Sequence, residues 1–174
     1  MSDEKFLKRA TEKNGLWDEI TLQWEAQCAA YDENFVDYAT ASLPVLADLA
    51  QGPELANQGV YSYCPEGQHL AILQANAAFL PSYTGRVLRI RHIVFAPDFD
   101  FGINEVDDYI DVLASVFVGS IDLSYGEMSA PHVKFHLRSP AERAFGTAFT
   151  TALGKDKAFK EVNMRGAWIY LSKA

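Results

Sequence analysis

Four basic side chains, His132, Lys134, His136 and Arg138, stand at alternate positions of one short run, with Val133, Phe135 and Leu137 between them. A β-strand repeats every two residues, so this spacing predicts a strand over 132–138 with cations on one face and apolar groups on the other. Such a row is suited to a carboxylate or phosphate: arginine offers a fork of donors, and histidine makes the site pH-sensitive. A second basic pair, Arg89 and Arg91, shares one face of the run VLRIRHIVF (Val87–Phe95), with Arg86 and His92 toward the other. If the two basic faces point the same way, Arg89, Arg91, His132, Lys134, His136 and Arg138 gather on one side of a sheet. The alternative is that the acidic helix start at Glu105-Val106-Asp107-Asp108, continuing to Asp111, neutralises the row through salt bridges.

The background makes the row conspicuous. The chain has 174 residues, a formal net charge of −8 and a sequence pI near 4.9. An acidic surface argues against binding a nucleic-acid backbone. No apolar run approaches the roughly 20 residues of a membrane span. The start, MSDEKFLKRATEK, has mixed charge and no apolar h-region, so no secretory leader is expected and the location expected is cytoplasmic. The expected partner is a small anionic molecule rather than nucleic acid or membrane, with a homodimer left open.

Other chemistries find less support. Cys28 and Cys64 are isolated, with no C-x-x-C spacing and no charged context that would activate a thiolate. His132 and His136 are spaced as two ligands on a strand, but no third follows at a recognisable interval, so no metal is expected. There is no G-x-S-x-G and no P-loop. Tyr125, Tyr170, Glu66, Asp122 and Glu127 are acid–base types without a diagnostic partner.

The elements that must position these residues follow from periodicity. Met1 to about Lys13 reads as polar and frayed. From Leu16 to about Ala50, Trp17, Ile20, Trp24, Cys28 and Tyr31 recur at helical steps, with Pro44 opening a second helix at Leu43–Ala50. Gly59–Cys64, His69–Leu80 and Val87–Phe95 read as three antiparallel strands joined by short turns. Asn104–Phe117 is helical. Ser139-Pro140-Ala141-Glu142 is a helix start with a capping box, and that helix runs to Leu153. Phe159–Val162 and Ala167–Leu171 close the chain as strands. The expectation is one domain over 1–174: helices over 14–50, then a sheet with two helices over 59–171, of class α+β, with a mixed, largely antiparallel central sheet flanked by helices.

This order, and the stretch RVLRIRHIVFAPDFDFG (Arg86–Gly102), resemble the acyl-CoA N-acyltransferase (GNAT) superfamily from about Tyr61 to Leu171. Phe95-Ala96-Pro97-Asp98 resembles the family's strand exit V-x-P, and Ser139 through Gly154 to Val162 resembles its last helix, glycine turn and strand. The resemblance implies that the strand ending at Phe95 and the basic strand splay apart to form a ligand cleft. It also implies an acyl group passing from acetyl-CoA or another acyl-CoA to an amine, with Phe95 and Gly102 at the donor and a tyrosine as acid toward the leaving thiolate. The family's glycine-rich turn, whose N–H groups bind pyrophosphate, is degenerate here. Asp98, Asp100 and Glu105 surround a single Gly102, while Phe99 and Phe101 stand where the donor loop would be and are expected to plug the cleft. A non-catalytic ligand-binding or interaction protein on the same fold is the alternative.

Overall fold

The helical spacing read near the start of the chain is realised in α1 (Leu16–Ala30), whose Trp17, Ile20, Trp24 and Cys28 are all buried. The computed structural model describes residues 6–174. A 3-10 turn at Phe35–Asp37 leads to α2 (Leu43–Gln51), with Pro44 inside its first turn, where a missing N–H costs nothing. After β2 (Gln58–Tyr63), β3 (Ala71–Phe79) and β4 (Arg86–Phe95) come α3 (Pro97–Phe101) and α4 (Val106–Tyr125). β5 (His132–His136), α5 (Pro140–Leu153), β6 (Phe159–Arg165) and β7 (Trp168–Lys173) complete the chain.

One expectation is corrected at the start. Leu7–Ala10, read as part of a frayed segment, is a strand, β1, antiparallel to β2 with Leu7 opposite Tyr63. Leu7 and Ala10 are buried on opposite faces of the sheet, and this short alternation was hidden by Lys8 and Arg9 between them. Residues 1–5 of that segment lie outside the described residues. Two helices also differ: α3 was not expected, and α4 starts two residues later and runs eight residues further than the expected 104–117.

The described residues contribute seven strands in the order β1-β2-β3-β4-β5-β7-β6. Every neighbouring pair is antiparallel except β4 and β5. This is the α+β architecture that was expected: a mixed, largely antiparallel sheet flanked by helices. One face of the sheet, with Leu88, Ile90, Val133 and Phe135, packs against Leu113, Val116 and Phe117 of α4 and against Phe145 and Phe149 of α5. The other face, with Val60, Ile72 and Val94, packs against α1 and α2. Each large side chain buried in these layers contributes roughly 1.5–3 kcal/mol of transfer free energy.

Candidate functional site

The parallel pair decides where a ligand can sit. β4 and β5 are in register from Val87 and His132 to Ile90 and Phe135, and no further. Just beyond, the β3–β4 register shifts between Ile72 and Gln74, with His92 in β4 at a φ of 52°. A bulge of this kind bends its strand and re-aims a side chain. β4 then ends at Phe95 while β5 leaves through Leu137 and Arg138 into α5. Between them opens a cleft of about 560 Å³. Ile93, Phe95, Phe99, Val106 and Tyr109 give it apolar walls, and Tyr38, Ser42, Arg138, Ser139 and Glu142 bring polar groups.

Those polar groups form two clusters. In the first, Arg138 donates from Nη1 to Ser42 Oγ (2.6 Å) and from Nη2 to His92 Nδ1 (2.9 Å), while Ser42 Oγ lies 3.2 Å from the same nitrogen. His92 is thus held with Nδ1 as acceptor. Burial, then Arg138, Arg91 and His136, push its pKa below the ordinary imidazole value. His136 is lowered likewise, by burial first and then by Arg138 and Arg91.

The second cluster centres on Glu142, which is buried. Its Oε2 accepts from the backbone N–H of Arg138 (2.6 Å) and Ser139 (3.1 Å), and Ser139 Oγ accepts from Glu142 N (3.1 Å). The capping box read from Ser139-Pro140-Ala141-Glu142 is therefore present. Tyr109 adds a bond from its hydroxyl to Glu142 Oε1 (3.1 Å), and its ring stacks on Phe95 at 4.3 Å. Burial, and then Glu142, raise the Tyr109 pKa; burial, and then Asp100, raise that of Tyr38. Both phenols stay protonated at neutral pH.

The six basic residues lie along one side of the sheet but do not form one pocket. Arg89 is beside Lys134 in register, with Nη2 bonded to Asn76 Oδ1 (2.7 Å) and a buried Nε that has no partner. His132 is buried and committed, with Nδ1 at 2.7 Å from Ser172 Oγ and Nε2 at 2.9 Å from Thr84 O. Lys134 Nζ lies over the rings of Trp168 (4.6 Å) and Tyr170 (4.8 Å), and its pKa is lowered by burial and by Arg89. His136 packs on Trp168 at 4.7 Å. Only the far end of the row, Arg138, lines the cleft, with Arg91 and His136 close enough to act on His92.

Neutralisation by acidic helices does not occur. Among the described residues, no ion pair engages Arg89, Arg91, Lys134 or Arg138. The reason is geometric: α4 covers the apolar face of β5, so its acids and the basic row lie on opposite sides of the sheet.

The turn at Asp98–Glu105, which the resemblance would make the donor site, is closed by its own chain. Gly102 has extended backbone (φ −86°, ψ 173°), and its N–H donates to Asp98 O at 2.9 Å. The glycine provides room rather than a left-handed turn, since a Cβ there would meet Tyr31 Oη at 2.7 Å. Asn104 Nδ2 also bonds to Asp98 O, and Asp108 Oδ2 accepts from Glu105 N at 3.2 Å. Phe99 and Phe101 do not plug the cleft as expected: Phe99 is half-buried as one of its walls, packed on Phe95 (5.7 Å) and against both core layers. Phe101 stays at the rim, 37% exposed, against Tyr38 and Tyr31.

No protein-family model matches the chain, and no curated protein matches it in sequence. Among solved structures, a point variant of the BH1408 protein from Bacillus halodurans is similar at 16% identity and TM-score 0.44, over 92% of this chain and 97% of that one. An acyl-CoA N-acyltransferase from Pseudomonas aeruginosa is similar at 12% identity and TM-score 0.40, over 97% of each chain. Likenesses this distant do not bear on what the chain does. No helix among the described residues is long and apolar enough to cross a membrane.

Tyr38, Ser42 and Tyr109 are cleft residues that sequence reasoning passed over. Their spacing marks them only as members of helical segments, and their partners lie 57, 96 and 33 residues away. By contrast, Glu66, Asp122, Tyr125, Glu127 and Tyr170 do not line the cleft.

Proposed function

We propose that the cleft between β4 and β5 binds a small molecule with a short apolar body and an anionic head, most simply a carboxylate. The observation that carries this reading is Arg138. Its guanidinium is positioned at the cleft by Ser42 and His92 and has no carboxylate partner among the described residues. Ile93, Phe95, Val106 and Tyr109 supply the apolar wall, and the volume falls within the ordinary range for small-ligand sites, roughly 300–1,000 Å³.

Acyl transfer from acyl-CoA to an amine is the second reading. Two protonated phenols in an apolar cleft between splayed strands favour it, since either could protonate a leaving thiolate. The donor side argues the other way. Asp98, Asp100 and Glu105 would face a pyrophosphate, and the N–H groups of Gly102 and Glu105 already have partners.

A thermal-shift comparison of hexanoate, acetyl-CoA and sulfate separates the two. A ligand at about a hundred times its dissociation constant stabilises by roughly 2.7 kcal/mol, or about 5–10 °C for a chain of this size. Hexanoate is expected to raise Tm, and Arg138→Met to abolish the rise. A rise with acetyl-CoA alone would favour the transferase reading, and no rise with either would overturn both.

A further inference from the structure

Away from the cleft, three residues of metal-ligating type converge from separate elements. Glu19 projects from α1, Cys64 follows β2, and His69 precedes β3. One ligand atom of each lies within 4.8 Å of the other two. None of the three lines the cleft.

We propose that Glu19, Cys64 and His69 form a site for a thiophilic divalent ion of the zinc type. Glu19 Oε1 and His69 Nε2 are 3.1 Å apart. Two ligands on one tetrahedral ion, each bonded at roughly 2.0–2.1 Å, stand about 3.3 Å apart, so this pair is already near its bound separation. A sulfur, an imidazole nitrogen and a carboxylate oxygen suit zinc and its neighbours; magnesium and calcium prefer oxygen alone.

The imidazole is held as a ligand needs to be. His69 is fully buried, and its Nδ1 lies 2.7 Å from Ser62 Oγ. Without an ion, Nε2–H can donate to Glu19; an ion that displaces this proton leaves the ring proton on Nδ1, where Ser62 accepts it. This is the outer hydrogen bond that metal-bound histidines commonly make. The backbone is fixed as well: His69 O accepts from Trp24 Nε1 (2.9 Å), and His69 N donates to Gln23 Oε1 (3.0 Å). Between Cys64 and His69 the chain turns tightly, with positive φ at Glu66 (53°) and Gly67 (79°), which brings the thiol and the ring to one place.

Access and charge agree with this assignment. The Glu19 side chain is 47% exposed, so an ion reaches the buried sulfur and nitrogen from the solvent side and keeps an open coordination position. A thiolate and a carboxylate balance the two charges of the ion. Lys8, opposite Ser62 in the β1–β2 pair, also acts on the His69 ring and offsets part of that negative charge. Affinity is therefore below that of a closed four-ligand site.

Cobalt(II) titration of the full chain tests the assignment, because a cobalt–thiolate bond gives a charge-transfer absorption that carboxylate and imidazole do not. One equivalent is expected to develop that band, zinc to displace it, and Cys64→Ser to remove it while Cys28→Ser keeps it. Circular dichroism checks that each variant is folded. Ser62→Ala, which leaves all three ligands in place, is expected to weaken binding by about 10–100-fold. No charge-transfer band with the wild-type chain, or a band that survives in folded Cys64→Ser, would overturn the site.

Discussion

The hydroxyl of Tyr38, just after the 3-10 turn that precedes α2, donates to the main-chain carbonyl of Phe95, the last residue of β4, at 2.6 Å. Ala96 N bonds to Leu70 O, just before β3, so the carbonyl of Phe95 points to the other side, where β5 has diverged. Tyr38 thus replaces a missing strand and closes one side of the cleft. The phenol is buried, so its loss leaves a buried carbonyl without its partner. Tyr38→Phe should cost about 1–2 kcal/mol. Urea unfolding should show a lower midpoint with an unchanged slope.

Glu142 holds the opposite side. Its carboxylate joins two backbone N–H groups at the start of α5 to the Tyr109 hydroxyl on α4. Glu142→Ala removes all three bonds and should cost about 2–4 kcal/mol. Glu142→Gln keeps an oxygen for the backbone and an amide that can donate to Tyr109, so its cost should be under half of that. A loss near zero for Glu142→Ala, measured by chemical unfolding, would show that the cap and the tyrosine bond contribute nothing, and equal losses in the two variants would show that an amide cannot replace the carboxylate.

The histidines at the cleft set a pH response. The folded-state pKa values of His92 and His136 lie below the ordinary imidazole value of about 6.5. As pH falls through that value, the unfolded chain takes up protons first, so these two histidines make the fold less stable toward acid and have no effect well above neutrality. Arg138→Met removes the largest charge acting on His92 but leaves its burial. In an NMR titration, the His92 ring should titrate higher in this variant than in the wild type without reaching its ordinary value. A ring unmoved by the substitution would mean that Arg138 and His92 are not neighbours in solution.

Local patterns in the chain foretell most elements. The alternation from His132 to Arg138 marks β5, although the paired strand ends at His136 because β5 must leave β4 to open the cleft. Ser139-Pro140 with Glu142 marks the start of α5. What local pattern cannot show is which distant residues meet. Ser42, His92 and Arg138 come from three elements, and only the bulge at His92 brings its ring to the other two. Val133, Phe135 and Leu137 are the face that a helix must cover, so the basic residues between them face away from α4 and its acids. The row therefore does not act as a unit. Lys134 and His136 rest on β7 aromatics, His132 is tied to Ser172 and Thr84, and Arg138 reaches the cleft.

In the proposed function a carboxylate binds in the cleft at Arg138 rather than on the open sheet face at Lys134. Two-dimensional NMR of the 15N-labelled chain during a hexanoate titration tests it directly. Saturable shifts are expected at the amides of Ile93, Val94, Tyr109 and Ser139 and at the Arg138 side-chain N–H, all lost in Arg138→Met. Shifts centred on the Trp168 indole N–H and the Lys134 and Tyr170 amides, unchanged in Arg138→Met, would contradict it.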